Sequence, residues 1–281
     1  MKKILLTGGT GFIGRNILPV LQQEYHVEAP TRSEWDVYDR QSTDAYLAKN
    51  KADILVHCAI ATPANPLDDG KSVLESVLRS FLNLKRYAGD FEKVIYIGSG
   101  AEYDKCFDII RADEDDIGKR IPSDEYGLAK YTLTEMAKSS KNIFNLRIFG
   151  CYGPFEPQRR FIRHAVECCL ASRPVTIRQD CRFSYVFADD LAYAVMQLAN
   201  KTPARHDYNI CGDEPFYLSE LAEMIRERMR AEQPVEILIP GLNKEYTGSS
   251  NRFKSEFPDF RFTAVQDGID REISWIKGCE L

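Results

Sequence analysis

Tyr126-Gly127-Leu128-Ala129-Lys130 places a phenol and an ammonium four residues apart, on one face of a helix. An ammonium at that spacing favours the phenolate, which lets a tyrosine trade protons near neutral pH. Proton exchange of this kind interconverts an alcohol and a ketone. Two further segments give the pair a context. The opening Thr7-Gly8-Gly9-Thr10-Gly11-Phe12-Ile13-Gly14 satisfies both Gly-x-Gly-x-x-Gly and Gly-x-x-Gly-x-x-Gly spacings directly after the apolar run 4–6. Glycines between a strand and a helix allow a tight turn and close backbone approach, and the helix N-terminus then faces a pyrophosphate. Ser99 ends the apolar run 94–97 within Gly98-Ser99-Gly100-Ala101-Glu102-Tyr103 and offers a second hydroxyl to a reacting oxygen. A Tyr-x-x-x-Lys alone is a weak signal; the ordered triple of glycine loop, serine and Tyr-x-x-x-Lys is a specific one.

These residues need a scaffold, and the pattern supplies it. Short apolar runs at 4–6, 27–29, 54–57, 94–98 and 143–148 alternate with helical stretches, the first helix starting near Gly11. The alternation predicts an α/β, Rossmann-type doubly wound parallel sheet covered on both faces, with its ligands at the carboxyl ends of the strands. Pro19 is predicted to kink or shorten the first helix. The expected division is a dinucleotide-binding domain over 1–154, with parts of 180–212 returning to it, and a small C-terminal α/β region over 155–281 that mainly binds substrate. In that region strands are expected at 175–177, 209–210 and 235–238, and helices at 161–171, 189–198 and 218–230. Its cations Arg159, Arg160, Arg163, Arg178 and Arg182 are placed to cover a charged substrate.

The chain has 281 residues and a net charge of −5, with a pI of about 5.6. No broad basic footprint exists, which argues against nucleic acid as the main partner and gives no reason to invoke an anionic membrane surface. No apolar run approaches the roughly 20 residues of a membrane span. Met1 to Leu6 reads as a first strand rather than a signal peptide, so a cytoplasmic location is expected. Eight cysteines, Cys58, Cys106, Cys151, Cys168, Cys169, Cys181, Cys211 and Cys279, show no Cys-x-x-Cys pairing and read as free thiols. Neither the adjacent Cys168 and Cys169 nor the acidic Asp113-Glu114-Asp115-Asp116, expected to be a solvated loop, has a metal-binding signature, and no metal is expected.

The second strand bears on the choice of dinucleotide. An acid at its end binds ribose hydroxyls in NAD sites, whereas a cation accommodates a 2′-phosphate. Here the chain reads Val27-Glu28-Ala29-Pro30-Thr31-Arg32, so Arg32 favours NADP(H), and Asp36 and Val37 are placed to line the adenine.

Beyond the glycine loop and the triple, the chain carries Leu146-Arg147-Ile148-Phe149-Gly150-Cys151-Tyr152-Gly153-Pro154, Arg182-Phe183-Ser184-Tyr185-Val186-Phe187-Ala188-Asp189-Asp190 and Tyr208-Asn209-Ile210-Cys211-Gly212. With these it resembles, over nearly its whole length, the extended short-chain dehydrogenase/reductase family, the NAD-dependent epimerase/dehydratase group acting on nucleotide sugars. The resemblance implies Ser99, Tyr126 and Lys130 as catalytic residues. It implies a dinucleotide site of Gly8, Gly11, Phe12, Ile13, Gly14, Arg32, Asp36, Val37, Cys58, Ala59, Tyr126, Lys130 and Cys151. Substrate contacts are expected from Ser99, Arg160, Arg182 and Arg252, with Arg182 on the diphosphate; the other reading of Arg182 is an ion pair with Asp189 or Asp190. A homodimer is implied by the same analogy.

Departures from the family pattern narrow the chemistry. The acid that dehydratases and decarboxylases carry two residues before the tyrosine of the serine segment is Ala101 here, and Glu102, one step along, is predicted to point elsewhere on an extended chain. The cysteine and histidine of the GDP-fucose synthase type are Ala101 and Arg160. The helix asparagine common in the family is Val77, and His57 reads as a buried hydrogen-bonded residue rather than a base. The stretch 31–39 is similar to the equivalent region of dTDP-4-dehydrorhamnose reductases. An NADP(H)-dependent reductase of a keto group, at C4, of a nucleotide-activated sugar is therefore the expected activity. The alternatives are a 4-epimerase of the UDP-glucose 4-epimerase kind with tightly bound NAD, and a nucleotide-sensing protein without turnover.

Overall fold

Continuous buried runs of β-branched and aliphatic residues form the centre of the molecule. In the computed structural model, which describes residues 1–62, 67 and 70–279, the first half of the chain runs β1 (Lys3–Thr7), α1 (Phe12–Leu21), β2 (His26–Glu28), α2 (Arg40–Lys49), β3 (Ile54–His57), α3 (Val73–Lys85), β4 (Lys93–Ser99), β5 (Ile109–Ala112), α4 (Glu125–Ala137) and β6 (Ile143–Ile148). Every residue of β3 and β4 is buried, as expected for strands covered on both faces. The remainder is β7 (Gly150–Tyr152), α5 (Phe161–Leu170), β8 (Val175–Asp180), β9 (Arg182–Phe183), β10 (Tyr185–Phe187), α6 (Ala188–Asn200), β11 (Asp207–Ile210), β12 (Phe216–Tyr217), α7 (Leu218–Met229), β13 (Val235–Leu242), β14 (Tyr246–Gly248), α8 (Asn251–Glu256) and α9 (Val265–Cys279).

A six-stranded sheet has the order β11-β6-β4-β3-β1-β2, and all its pairings are parallel. The chain leaves β1 outward to β2 and returns on its other side to β3, so the winding reverses between β1 and β3. Such a reversal opens a crevice at the carboxyl ends of the strands. Helices α1 and α6 cover one face with Ile17, Val20, Leu21, Leu191 and Val195. The other face is covered by α3 and α4 through Val77, Phe81, Leu84, Ala129 and Leu133. Two helices that frame the crevice are capped by side chains: Ser72 caps α3 through the Glu75 amide, and Asp124 caps α4 through the Gly127 amide. Pro19 lies inside α1 without ending it, since the helix continues to Leu21.

The second part packs three smaller sheets beside the large one. Strands β12, β9, β14 and β5 form one, while β7 pairs with β10 and β8 with β13. Helices α5, α7 and α9 close a separate apolar cluster around Ile162, Leu221, Ile225, Ile269 and Ile273. The cysteines are all free, and Cys168 and Cys169 are buried on α5.

One residue of α9 breaks the apolar rule. Glu272 is fully buried, and neither carboxylate oxygen has a hydrogen-bond partner among the described residues. Burial, reinforced by the nearby Glu156, pushes its acid up to about 8. An unfolded glutamate ionises near 4.3. Between those values the folded chain binds the extra proton, so this residue's contribution to stability falls as pH rises from about 4 through about 8. Glu272→Gln is expected to leave stability nearly unchanged at pH 4 and to raise it at pH 8.5 by on the order of 1–3 kcal/mol, as read by urea denaturation at the two pH values.

Candidate active site

Strand β4 delivers Ser99 to the crevice, and the chain then turns at once. Residues Gly100–Tyr103 form a 3-10 turn rather than the extended segment expected from sequence. The Ser99 hydroxyl accepts from the Ala101 amide at 3.2 Å, and the Glu102 carboxylate accepts from the Ser99 amide at 2.9 Å. This reciprocal cap turns Glu102 inward. It is fully buried, takes 2.7 Å contact from Arg147 Nε and 2.8 Å from Thr134 Oγ1, and is absent from the crevice wall. Glu102 therefore points away from the cleft as expected, for a different geometric reason.

Helix α4 brings Tyr126 and Lys130 to the same place. Gly127 lets the helix approach, because a Cβ there would stand 2.7 Å from the Ala101 carbonyl oxygen. Ser99 and Tyr126 both line the two clefts of the site. Lys130 Nζ lies 5.9 Å from the centre of the Tyr126 ring and donates to the carbonyl of Ile97. The electrostatics differ from the sequence expectation. Burial pushes the Tyr126 phenol up to about 12, offset in part by Ser99, and pulls the Lys130 ammonium down to about 8. Desolvation dominates, so Tyr126 stays protonated throughout the neutral range.

Two adjoining clefts meet at this triple. The larger, of about 970 Å³, runs from the glycine loop to Ser99 and is lined by Gly8, Gly11, Phe12, Ile13, Gly14, Arg32, Val37, Cys58, Ala59, Tyr126, Lys130 and Cys151. All of these were singled out from sequence for the dinucleotide. The residues fit such a group: a Cβ on Gly14 would stand 2.1 Å from the Gly8 carbonyl oxygen, so the tight loop under the α1 N-terminus admits only glycine there. Asp36 is the exception. It is absent from the cleft wall and instead accepts from Arg32 Nε at 3.2 Å and from the Tyr38 amide at 3.0 Å. Trp35 and Tyr38, which sequence reasoning missed, line the same end, with the Arg32 guanidinium 5.3 Å from the Tyr38 ring centre. Val77 and Ser80 of α3 also face this cleft. His57 is buried, bonded to Thr7 Oγ1 at 2.7 Å, and burial lowers it to about 3, which keeps it neutral.

The smaller cleft, of about 610 Å³, shares Ser99, Lys105, Tyr126, Phe149 and Arg160 with the first. Arg160 is held by Glu156 at 2.9 Å and by the Cys151 carbonyl at 2.8 Å. Lys105, which was not anticipated, belongs to this wall, as does Tyr246, the first residue of the segment 246–252 expected from sequence to contact the substrate. Arg182 and Arg252 are not on either wall. The neighbours of Arg182, Cys181 and Phe183, line the smaller cleft, and the acids offered to it as ion-pair partners are engaged elsewhere, Asp189 with Arg271 and Asp190 with Thr263. Arg252 sits instead in an ion network with Asp207 at 3.1 Å, Glu114 at 3.6 Å and Asp115. The acidic stretch is correspondingly not a simple solvated loop: residues Glu114–Asp116 form a 3-10 turn, and Glu114 is buried against the Asn209 amide at 2.6 Å.

If Glu102 holds the serine turn and Arg147 in place, Glu102→Gln leaves a buried guanidinium undercompensated. The expected cost is about 3 kcal/mol in urea denaturation, carried by stability; a carboxylate acting on substrate would lose turnover at unchanged stability.

The sequence profile of the NAD dependent epimerase/dehydratase family matches residues 4–211. A GDP-L-colitose synthase of Yersinia pseudotuberculosis is 24% identical over 249 residues, covering 79% of this chain and 80% of that protein. The solved UDP-glucose 4-epimerase of Thermotoga maritima superposes with a TM-score of 0.84 at 18% identity, covering 99% of this chain and 100% of that one. A Campylobacter jejuni GDP-D-glycero-L-gluco-heptose synthase, solved in the presence of NADPH, superposes with a TM-score of 0.86 at 16% identity, covering 99% and 98%. With three quarters of its length matched, with a doubly wound sheet and with the serine, tyrosine and lysine gathered at its carboxyl edge, the chain belongs to the NAD-dependent epimerase/dehydratase family of extended short-chain dehydrogenases/reductases.

Proposed function

We propose that the protein is an NADP(H)-dependent oxidoreductase that reduces a keto group, at C4, of a nucleotide-activated sugar. One observation carries the reading: among the described residues, the wall of the larger cleft holds Arg32, Lys105, Lys130, Arg159 and Arg160 and no carboxylate. In a chain of net charge −5, an anion site of this purity suits a ligand with several phosphates. Arg32 stands at the end reached from β2, where a 2′-phosphate would lie.

The protein's part in the reaction follows from the site. When bound, the nicotinamide supplies the hydride. Tyr126, kept protonated by burial, donates the proton to the developing alkoxide, and Ser99 donates a hydrogen bond to the same oxygen. Lys130, buried beneath them, is placed to hold the nicotinamide ribose and to stabilise charge on Tyr126. Arg160 lies where the two clefts join and is placed for the substrate's phosphates. The named relatives include synthases of GDP-sugars, which supports the substrate class. A 4-epimerase with retained NAD is the second reading, favoured by one observation: Asp36 engages the Arg32 guanidinium.

Fluorescence titration is expected to show NADPH bound at least tenfold more tightly than NADH, with Arg32→Ala erasing most of the difference; equal affinities, or NAD retained through purification, would overturn the NADP(H) assignment. Tyr126→Phe is expected to lower kcat by about 10²–10⁴ while NADPH is still bound. In the wild type, kcat is expected to decline as pH rises through about 8, where Lys130 loses its charge, and not near neutrality from Tyr126, which stays protonated to about 12. The pH–rate profile and its alkaline limb in Lys130→Arg check this.

A further inference from the structure

Ser99 has two phenols beside it. Besides Tyr126, Tyr246 of β14, more than a hundred residues further along the chain, lines the same small cleft as Ser99. The approach is close. A Cβ on Gly100 would stand 2.6 Å from the Tyr246 hydroxyl oxygen, so the serine turn leaves room for the phenol by having glycine at that position. The Tyr246 ring is packed between Phe149, 5.1 Å away, and Phe183, 4.8 Å away, so its position does not depend on the hydroxyl.

A serine hydroxyl has one hydrogen to donate and two lone pairs to accept with. One lone pair of Ser99 is taken by the Ala101 amide. For ketone reduction the single hydrogen must point at the reacting oxygen, and the hydrogen of Tyr126 must point there as well. Only one lone pair is then left on Ser99, and Tyr246, whose hydroxyl lies against the adjacent Gly100, is the phenol beside it that can fill it. With no donor from that side, Tyr126 is drawn to donate to Ser99, or Ser99 to turn its hydrogen toward a neighbour, and either arrangement withdraws a proton from the substrate. Burial keeps the Tyr246 phenol protonated well above neutrality, so it is a donor under working conditions.

We propose that Tyr246 is a positioning residue of the site: it donates its hydroxyl hydrogen to Ser99 Oγ and thereby aims the Ser99 hydrogen, and frees that of Tyr126, toward the reacting oxygen. The inference rests on the ketone-reductase reading for its consequence in turnover, whereas the orientation of the Tyr246 hydroxyl is tested without turnover.

Two measurements test it. In a double-mutant cycle under NADPH-dependent reduction, Tyr246→Phe, which keeps the ring between Phe149 and Phe183, is expected to lower kcat by about tenfold with KM little changed. Ser99→Ala is expected to lower it by about 10²–10³, and adding Tyr246→Phe to Ser99→Ala is expected to cost less than twofold more. Gly100→Ala, which displaces the phenol, is expected to match Tyr246→Phe. A tenfold loss that persists in the Ser99→Ala background, or a Tyr246→Phe enzyme within twofold of wild type, overturns the proposal. The second measurement needs no turnover: neutron diffraction from deuterated crystals of the wild type is expected to place the Tyr246 deuterium on the line to Ser99 Oγ. A Ser99 deuterium pointing at Tyr246 overturns it. If the wild type reduces no 4-keto nucleotide sugar, the proposed function fails while the neutron density still decides the hydrogen bond.

Discussion

The buried carboxylate of Glu102 holds the site together. It accepts from the Ser99 amide at the end of β4, from Thr134 one turn beyond Lys130 on α4, and from Arg147 on β6. Arg147, itself fully buried, reaches on to Asp207 and Asn209 of β11. Removing a carboxylate and a guanidinium from water is costly, and the cost is offset only when their hydrogen-bonding capacity is filled in one geometry. That requirement fixes the relative register of three strands and a helix. Ser99 and Tyr126 are the ends of this framework that reach the cleft, and the proposed reaction draws on that preorganisation.

A second constraint is the separation of charge. The chain carries more acids than bases, yet carboxylates are absent from the described wall of the larger cleft. Glu114, Asp115 and Asp207 are gathered around Arg252, and Glu156 is set behind Arg160, where it orients the guanidinium that faces the cleft. A low-dielectric cleft with cationic walls focuses the field on an anionic ligand. Burial tunes the same region from within, keeping Tyr126 protonated and His57 neutral.

What the sequence revealed and what it hid follow from the range of the interactions. The glycine loop, Ser99 and the Tyr126–Lys130 pair were legible because each is a local requirement: glycine where Gly14 meets Gly8, a strand end, a helical spacing. The central strands were legible for the same reason, as unbroken apolar runs. The placement of Tyr246 beside Ser99 was not, because the pairing of β14 with β9 and β5 is what carries residue 246 to residue 99. The ion network of Arg252 was hidden as well, because its partners lie up to about 140 residues away, and nothing in the spacing of 113–116 shows that these acids wait for it. The pull of Lys130 on Tyr126 was overestimated for a different reason: spacing gives proximity but not burial, and burial dominates both groups.

The most direct test of the central claim is a single-turnover reaction with NADPH deuterated at its transferable position and a 4-keto nucleotide sugar, followed by mass spectrometry of the product. The account predicts a reduced sugar heavier by one deuterium, formed in step with NADP+. No net oxidation of NADPH, with a 4-hydroxyl nucleotide sugar instead inverted by enzyme that retains NAD, would contradict it.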